Sequence, residues 1–180
     1  MKYTVALVQD RVDGSLKALH WHIKKRSKRE KDGLYDRELE DIKDQVSLYG
    51  NYKVLFFLYT YDRGSMLSAR IKCECAELRD LVKRHNDLLT YDDGNPVLNE
   101  TYDLCCEVQR IHINRIGRLV RRLVRQERYG EERFKREIKD EIALQCYDVI
   151  CKEEEARRAY EKMDRELNER YHRSQMNAYC

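Results

Sequence analysis

Seven arginines fall within residues 110–128, and no other group of side chains in the chain is better suited to binding something charged. At 100° per residue they lie on one side of a helix, with a continuous apolar arc on the other. Only Glu127 is acidic in this stretch, so almost no arginine has an i,i+4 carboxylate partner on the same helix. An anion is therefore expected near this face, which consists of Arg110, Arg115, Arg118, Arg121, Arg122, Arg125 and Arg128.

Three sources of that anion are open. Acidic stretches of the same chain, residues 36–44 or 87–107, could pack across the arginines. A protein partner, including another copy of the chain, could supply carboxylates, and a nucleic acid could supply phosphates. Arginine suits all three because its planar fork binds carboxylate or phosphate with two hydrogen bonds. The pI of about 8.4 is lower than expected for a dedicated nucleic-acid binder, so a protein partner is favoured over nucleic acid.

A second basic run follows His20-Trp21-His22. Its composition is typical of a nuclear-localisation or polyanion-binding patch, and equally of a solvated helix surface. Aromatic rings beside basic groups suit stacking on single-stranded bases, although a lone tryptophan also suits a core. The basic residues of this patch are Lys24, Lys25, Arg26, Lys28 and Arg29.

Metal and catalytic chemistry find no support in the motifs. The cysteines, which include Cys73, Cys75, Cys105 and Cys106, do not combine zinc-thiolate spacing with a matching pair of histidines. The acidic clusters in residues 36–41 and 92–93 are not placed by any nuclease signature, and the common nucleotide, hydrolase and zinc-protease strings are absent. We therefore expect no enzyme activity, no metal, no cofactor and no small-molecule substrate.

The local patterns predict mainly helices with a small β element. Residues 2–9 alternate like a strand, and residues 52–61 favour a strand able to pair with them, although so short an apolar run also fits a buried helix. Asp13-Gly14-Ser15 reads as a turn. The predicted helices span residues 16–31, 34–48, 65–89 with Ser65 as a cap, a segment starting at Asn95-Pro96 and stopping near Gly130, and 131–173.

The helix that begins at Pro96 carries a seam with spacings of four and three, as in coiled coils. We predict that this seam docks against another helix, with a weaker seam along the final helix. Thirteen tyrosines against three phenylalanines also favour docking, because tyrosine is enriched at protein interfaces. The seam consists of Tyr102, Cys106, Ile113, Ile116, Val120 and Leu123, with Gln109 as its polar member.

Composition completes the prediction. With 38% charged residues, seven glycines and one proline, the chain suits long helices rather than a sandwich or barrel. We expect a mainly α protein with coiled-coil-like helices, an N-terminal region 1–94 and two long helices in 95–180, the second protruding. No apolar run approaches the length of a membrane span, and no signal peptide is evident. Seven cysteines suggest reduced thiols, hence an intracellular location, cytoplasmic, nuclear or within an assembled particle.

These expectations converge on a non-enzymatic structural or interaction protein that acts as a helical subunit or adaptor of a larger assembly. Protein partners or self-association come first. The alternative is a nucleic-acid-binding protein that uses the basic segments 17–31 and 110–128.

Overall fold

A computed structural model of the chain describes residues 2–23, 44, 51–89, 96–126 and 129–178. This part is mostly helical with a small antiparallel sheet at its N-terminal end, as the sequence predicts. The predicted helix 34–48 and the basic patch 24–29 lie outside the described residues, apart from the helical Asp44. The elements are β1 (Lys2–Asp10), β2 (Leu16–Ile23), β3 (Tyr52–Thr60), α1 (Arg63–Leu89), α2 (Pro96–Val124), α3 (Glu131–Ile138) and α4 (Glu141–Ala178).

The sheet has the order β2-β1-β3, with both neighbours antiparallel to β1. The predicted strands 2–9 and 52–61 and their pairing are confirmed. Gly14, at φ +72°, takes the left-handed conformation that the turn from β1 to β2 requires. The amide of Asp10 donates to the carbonyl of Ser15 at 2.8 Å and closes this hairpin.

The predicted helix 16–31 is wrong for its first eight residues, which form β2. The hairpin explains the outcome, because the turn at Gly14 returns the chain directly alongside β1, where pairing satisfies its backbone groups. In that register Ala18, His20 and His22 share the face of Leu7, Val5 and Tyr3. The basic run that follows at residues 24–31 obscured this strand in the sequence.

Helix α1 packs on the sheet and covers part of the open edge of β2. The amides of Leu16 and Ala18 donate to the carboxylates of Asp80 and Glu77, at 3.0 and 2.9 Å. These bonds satisfy edge donors that would otherwise invite another strand. The helix starts at Arg63 and not at the predicted cap Ser65, because the carboxylate of Asp62 accepts the Ser65 amide at 2.7 Å.

Helix α2 begins at Pro96, as predicted from Asn95-Pro96. Its buried side lies against α1 and α4, and one core joins the sheet to all four helices of the described part. Among the fully buried side chains of this core are Val5, Leu67, Ile71, Leu78, Ile116, Val120, Leu123 and Phe134.

The predicted single helix 131–173 is wrong, since the chain breaks at Lys139 and Asp140 into α3 and α4. Lys139 adopts a left-handed conformation at φ 50° and ends α3. Asp140 then accepts the amides of Ile142 and Ala143 and caps α4. The break lets α3 bury Phe134 and Ile138 while α4 turns to pack along α2.

Candidate functional site

The arginine face covers the outer side of α2. At 100° per residue its described members form one arc, with Arg121 and Arg125 on one side, Arg118 in the middle, and Arg122 and Arg115 on the other side. The first pair lies beside α4 and the second pair beside α1. The face is therefore divided between two neighbours. Arg128 lies outside the described residues.

The side of the arc next to α4 is neutralised by that helix. An Nη2 atom of Arg121 lies 2.7 Å from the carboxylate of Glu153, and one of Arg125 lies 3.0 Å from that of Glu154. Hydrogen bonds from Arg125 and then Arg157 lower the pKa of Glu154. Both carboxylates therefore pair across to α2, and Glu154 also pairs within its own helix, with Arg157.

The remaining arginines make other contacts. Arg115 lies 3.7 Å from Glu74 of α1. Arg110 is exposed, 3.8 Å from Glu107 one turn earlier on α2. Arg118 donates from Nε to the carbonyl of Asn114 at 3.2 Å. Residues 36–43 and 90–95 lie outside the described residues, so neutralisation by the acidic stretches 36–44 or 87–107 stays a prediction beyond the contact of Glu107.

Arg122 has no carboxylate within ion-pair distance among the described residues. It lines a cavity of about 290 Å³ between α1, α2 and the sheet, together with Arg63 and Arg70. Tyr3 and His22 form the aromatic wall of this cavity, with their rings in edge-to-face contact at 5.5 Å.

A second cavity of about 440 Å³ shares Arg70 with the first one. Its other charged lining residues are Glu74 and Arg115. His20 and Trp21, which lie on opposite faces of β2, also line it. Burial lowers the pKa of His20 to about 4, with a further contribution from Arg70, so this ring is neutral at pH 7. Burial also lowers the pKa of Arg70, and the charges of Arg122 and Arg115 add to that effect.

Beneath the second cavity lies a buried cluster of Glu74, Glu77 and His112. The two ring nitrogens of His112 lie 3.7 Å from Glu74 and 3.9 Å from Glu77, too far for hydrogen bonds. One donor atom from each residue could converge on a metal ion. However, Arg70 and Arg115 each place a guanidinium nitrogen 3.7 Å from Glu74, where a cation would be repelled. The cluster fits better as a counter-charge for the arginines.

The predicted docking seam of α2 is only partly on the surface. Ile116, Val120 and Leu123 are fully buried in the protein's own core, whereas Cys106 and Ile113 are exposed. The side chain of Tyr102 lies outside the described part. Most of this seam therefore builds the fold and does not face an outside partner. Cys73 and Cys75 are likewise buried, and burial raises the pKa of both thiols.

The exposed apolar surface lies instead on α4. Residues 155–174 are all exposed, so this half of the helix is not buried in the core of the described part of the chain. At 1.5 Å per residue, the segment from 155 to the helix end at 178 is about 36 Å long. A stripe of large apolar side chains runs along it with exposed fractions above one half: Val149, Tyr160, Met163, Leu167 and Tyr171.

A groove of about 540 Å³ between α2 and α4 continues this stripe toward the body of the protein. Ile113 and Val149 present exposed apolar surface along it. Gly117 forms part of its floor, and a Cβ at that position would meet no atom within 4 Å. Val149 belongs to both the groove and the stripe.

Sequence reasoning missed Arg63, Arg70 and Glu74. Arg70 and Glu74 sit at i,i+4, a spacing normally taken for a solvated ion pair, and Arg63 stands alone beside a glycine. Nothing local indicates that α1 brings them to the arginines of α2. Only the tertiary packing assembles this positive groove.

No protein-family model, no curated protein and no solved structure matches the chain. Within the part the structure describes, no helix combines the length and apolar character needed to cross a membrane.

Proposed function

We propose that the protein is a non-enzymatic assembly protein that docks with a second copy of itself through the exposed half of α4. The supporting observation is the apolar stripe on a helical segment whose residues 155–174 are all exposed. On an isolated helix the side chains of Met163 and Leu167 are exposed to water, which is unfavourable. Packing against a partner helix would bury both of them.

The spacing of the stripe is that of a coiled coil. Tyr160 and Leu167 fall seven residues apart at one core position, and Ala156 and Met163 fall seven apart at the other. Arg170 continues the second series, and Glu153 begins the first. A parallel dimer would set Glu153 against Glu153 and Arg170 against Arg170, and like charges in a core are costly.

An antiparallel dimer removes that conflict. In one register Tyr160 faces Met163 of the second copy, and Ala156 faces Leu167 of the second copy. The same register brings Glu153 to Arg170 of the second copy and, along the flank, Arg157 to Asp164 of the second copy. Opposite charges then meet on both sides of an apolar centre, which fixes orientation and register. The charge pattern is therefore the reason to name a second copy as the occupant.

The direct test is the mass in solution, measured by light scattering over a series of concentrations. Twice the 21.8 kDa of one chain is expected. Leu167→Lys and Met163→Lys should each give a monomer, because a lysine would be placed in the apolar centre. The matched control is Asn168→Lys, which makes a similar change one position off the stripe and should remain dimeric. A wild-type monomer at every concentration would overturn the proposal, whatever else it captures.

A charge exchange tests the register. Asp164→Arg should weaken the dimer because it sets Arg157 against a like charge, and adding Arg157→Asp should restore it. Within one helix these two residues are two turns apart, about 10 Å, so rescue cannot come from a contact within the chain. If the double variant is no better than the single one, the antiparallel register is wrong.

A further inference from the structure

The two cavities beside α1 and α2 share Arg70 as a lining residue, and together we call them the positively charged groove. Four arginines line it, namely Arg63, Arg70, Arg115 and Arg122, against the single carboxylate of Glu74. Neither Arg63 nor Arg122 has an ion-pair partner among the described residues. Side chains of like charge held this close repel one another unless an anion sits among them.

Arginine is also the side chain that best matches phosphate. Its planar guanidinium donates two parallel hydrogen bonds to phosphate oxygens, and it loses less hydration than a lysine does. The groove contains arginines and no lysine. A surface that attracts polyanions only through its overall charge would not require arginine in place of lysine, whereas a site that binds individual phosphates would.

The arrangement of the cavities indicates several phosphates in a row. The cavities have volumes of about 290 and 440 Å³ and share Arg70 as a lining residue. Each one pairs arginines with rings from the first or second strand: Tyr3 and His22 in the smaller cavity, and His20 in the larger one. Basic groups that follow a backbone, interleaved with rings on which bases can stack, are the features of single-strand binding sites.

We propose that this groove binds single-stranded nucleic acid, with the four arginines on successive phosphates and the rings of β2 against the bases. Two of its arginines, Arg115 and Arg122, belong to the predicted arginine face, and the other two, Arg63 and Arg70, come from α1.

The experiment is fluorescence anisotropy with a labelled single-stranded oligonucleotide, titrated with the full chain at several salt concentrations. Affinity should fall as salt rises, and each arginine lost should reduce the slope of log K against log salt by about 0.7. Arg63→Ala and Arg122→Ala are the informative variants, because both side chains are exposed and unpaired among the described residues. Arg158→Ala, on the exposed part of α4, is the matched control and should leave the slope unchanged.

A ring variant separates stacking from charge. His22→Ala should weaken binding about tenfold with no change in the salt slope, since stacking on an aromatic ring contributes without releasing counterions. His22 is exposed, so the substitution spares the core.

Three results would overturn the proposal. They are no binding at low salt, equal affinity for a duplex and for the single strand, and unchanged slopes for both Arg63→Ala and Arg122→Ala. The monomeric variant Leu167→Lys should bind the oligonucleotide like the wild type, so this site and the self-association can fail separately.

Discussion

Asp140 is the residue on which the position of α4 depends most directly. Its side chain is almost completely buried, at 5% exposure. One carboxylate oxygen accepts the amides of Ile142 and Ala143, at 3.2 and 3.4 Å. The other oxygen lies 2.5 Å from a guanidinium nitrogen of Arg79 on α1. One carboxylate thus starts α4 and ties its first turn to α1.

We predict that Asp140→Ala destabilises the fold by about 1.5 kcal/mol. Loss of an N-cap costs about 1 kcal/mol. The ion pair adds under about 1 kcal/mol, because the Arg79 side chain is 60% exposed and solvent screens it. For a chain of this length the expected shift in melting temperature is about 3–6 °C. Asp140→Asn keeps a capping oxygen and should recover most of the cap contribution.

Thermal and urea unfolding, followed by far-ultraviolet circular dichroism, measure this loss. All variants must be compared at one protein concentration, because self-association would stabilise the folded state by mass action. Arg79→Ala removes the ion pair alone and should cost less than Asp140→Ala. If Asp140→Asn is as unstable as Asp140→Ala, capping is not the cause, and if Asp140→Ala melts with the wild type, the carboxylate does not hold α4.

Two further predictions concern the core and the groove. Phe134 is fully buried and stacks on Tyr147 with ring centres 4.4 Å apart, so Phe134→Ala should cost about 3–5 kcal/mol in urea unfolding; a loss below about 1 kcal/mol would show that α3 is not packed there. For His20, burial lowers the pKa from 6.5 to about 4 in the folded state. Between pH 4 and pH 6.5 His20 is therefore protonated in the unfolded chain and neutral in the folded one. Protonation of the unfolded chain lowers the free energy of unfolding, so the protein is most stable above pH 6.5 and loses stability as the pH falls toward 4. His20→Gln should remove that contribution, so the wild type should lose more stability than the variant between pH 7 and pH 5; equal losses would contradict the assignment.

The sequence predicted the elements whose formation depends mainly on neighbouring residues along the chain. The alternation of residues 2–9, the apolar run at 52–60 and the Asn95-Pro96 start were each sufficient for a confirmed element. β2 was misread because the basic run that follows it, residues 24–31, suggested one exposed helix from residue 16 onward. The hairpin turn at Gly14 decides the outcome, because it places these residues directly beside β1 whatever their composition.

The division of the last helix failed for a different physical reason. Asp140 reads in the sequence as one more charge in a charged helix, and its ion pair with Arg79, 61 positions earlier, has no local signal. The seam of α2 has the same limitation. Its period correctly placed Ile116, Val120 and Leu123 on one face, yet no period can tell whether that face meets the same chain or another one. Burial by α1 assigns them to the core.

The same distinction between local pattern and tertiary packing applies to the arginines of α2. Their one-sided distribution is a local signal and was visible in the sequence, whereas their partners depend on which helices flank them. Arg121 and Arg125 are held by Glu153 and Glu154, at the base of the helix that we propose for self-association. Arg122, one residue from Arg121 in sequence, faces the groove instead, with no acid in ion-pair distance among the described residues. Two adjacent arginines thus serve different surfaces, and charge counted along the sequence cannot separate an arginine that fastens a helix from one that can bind a phosphate.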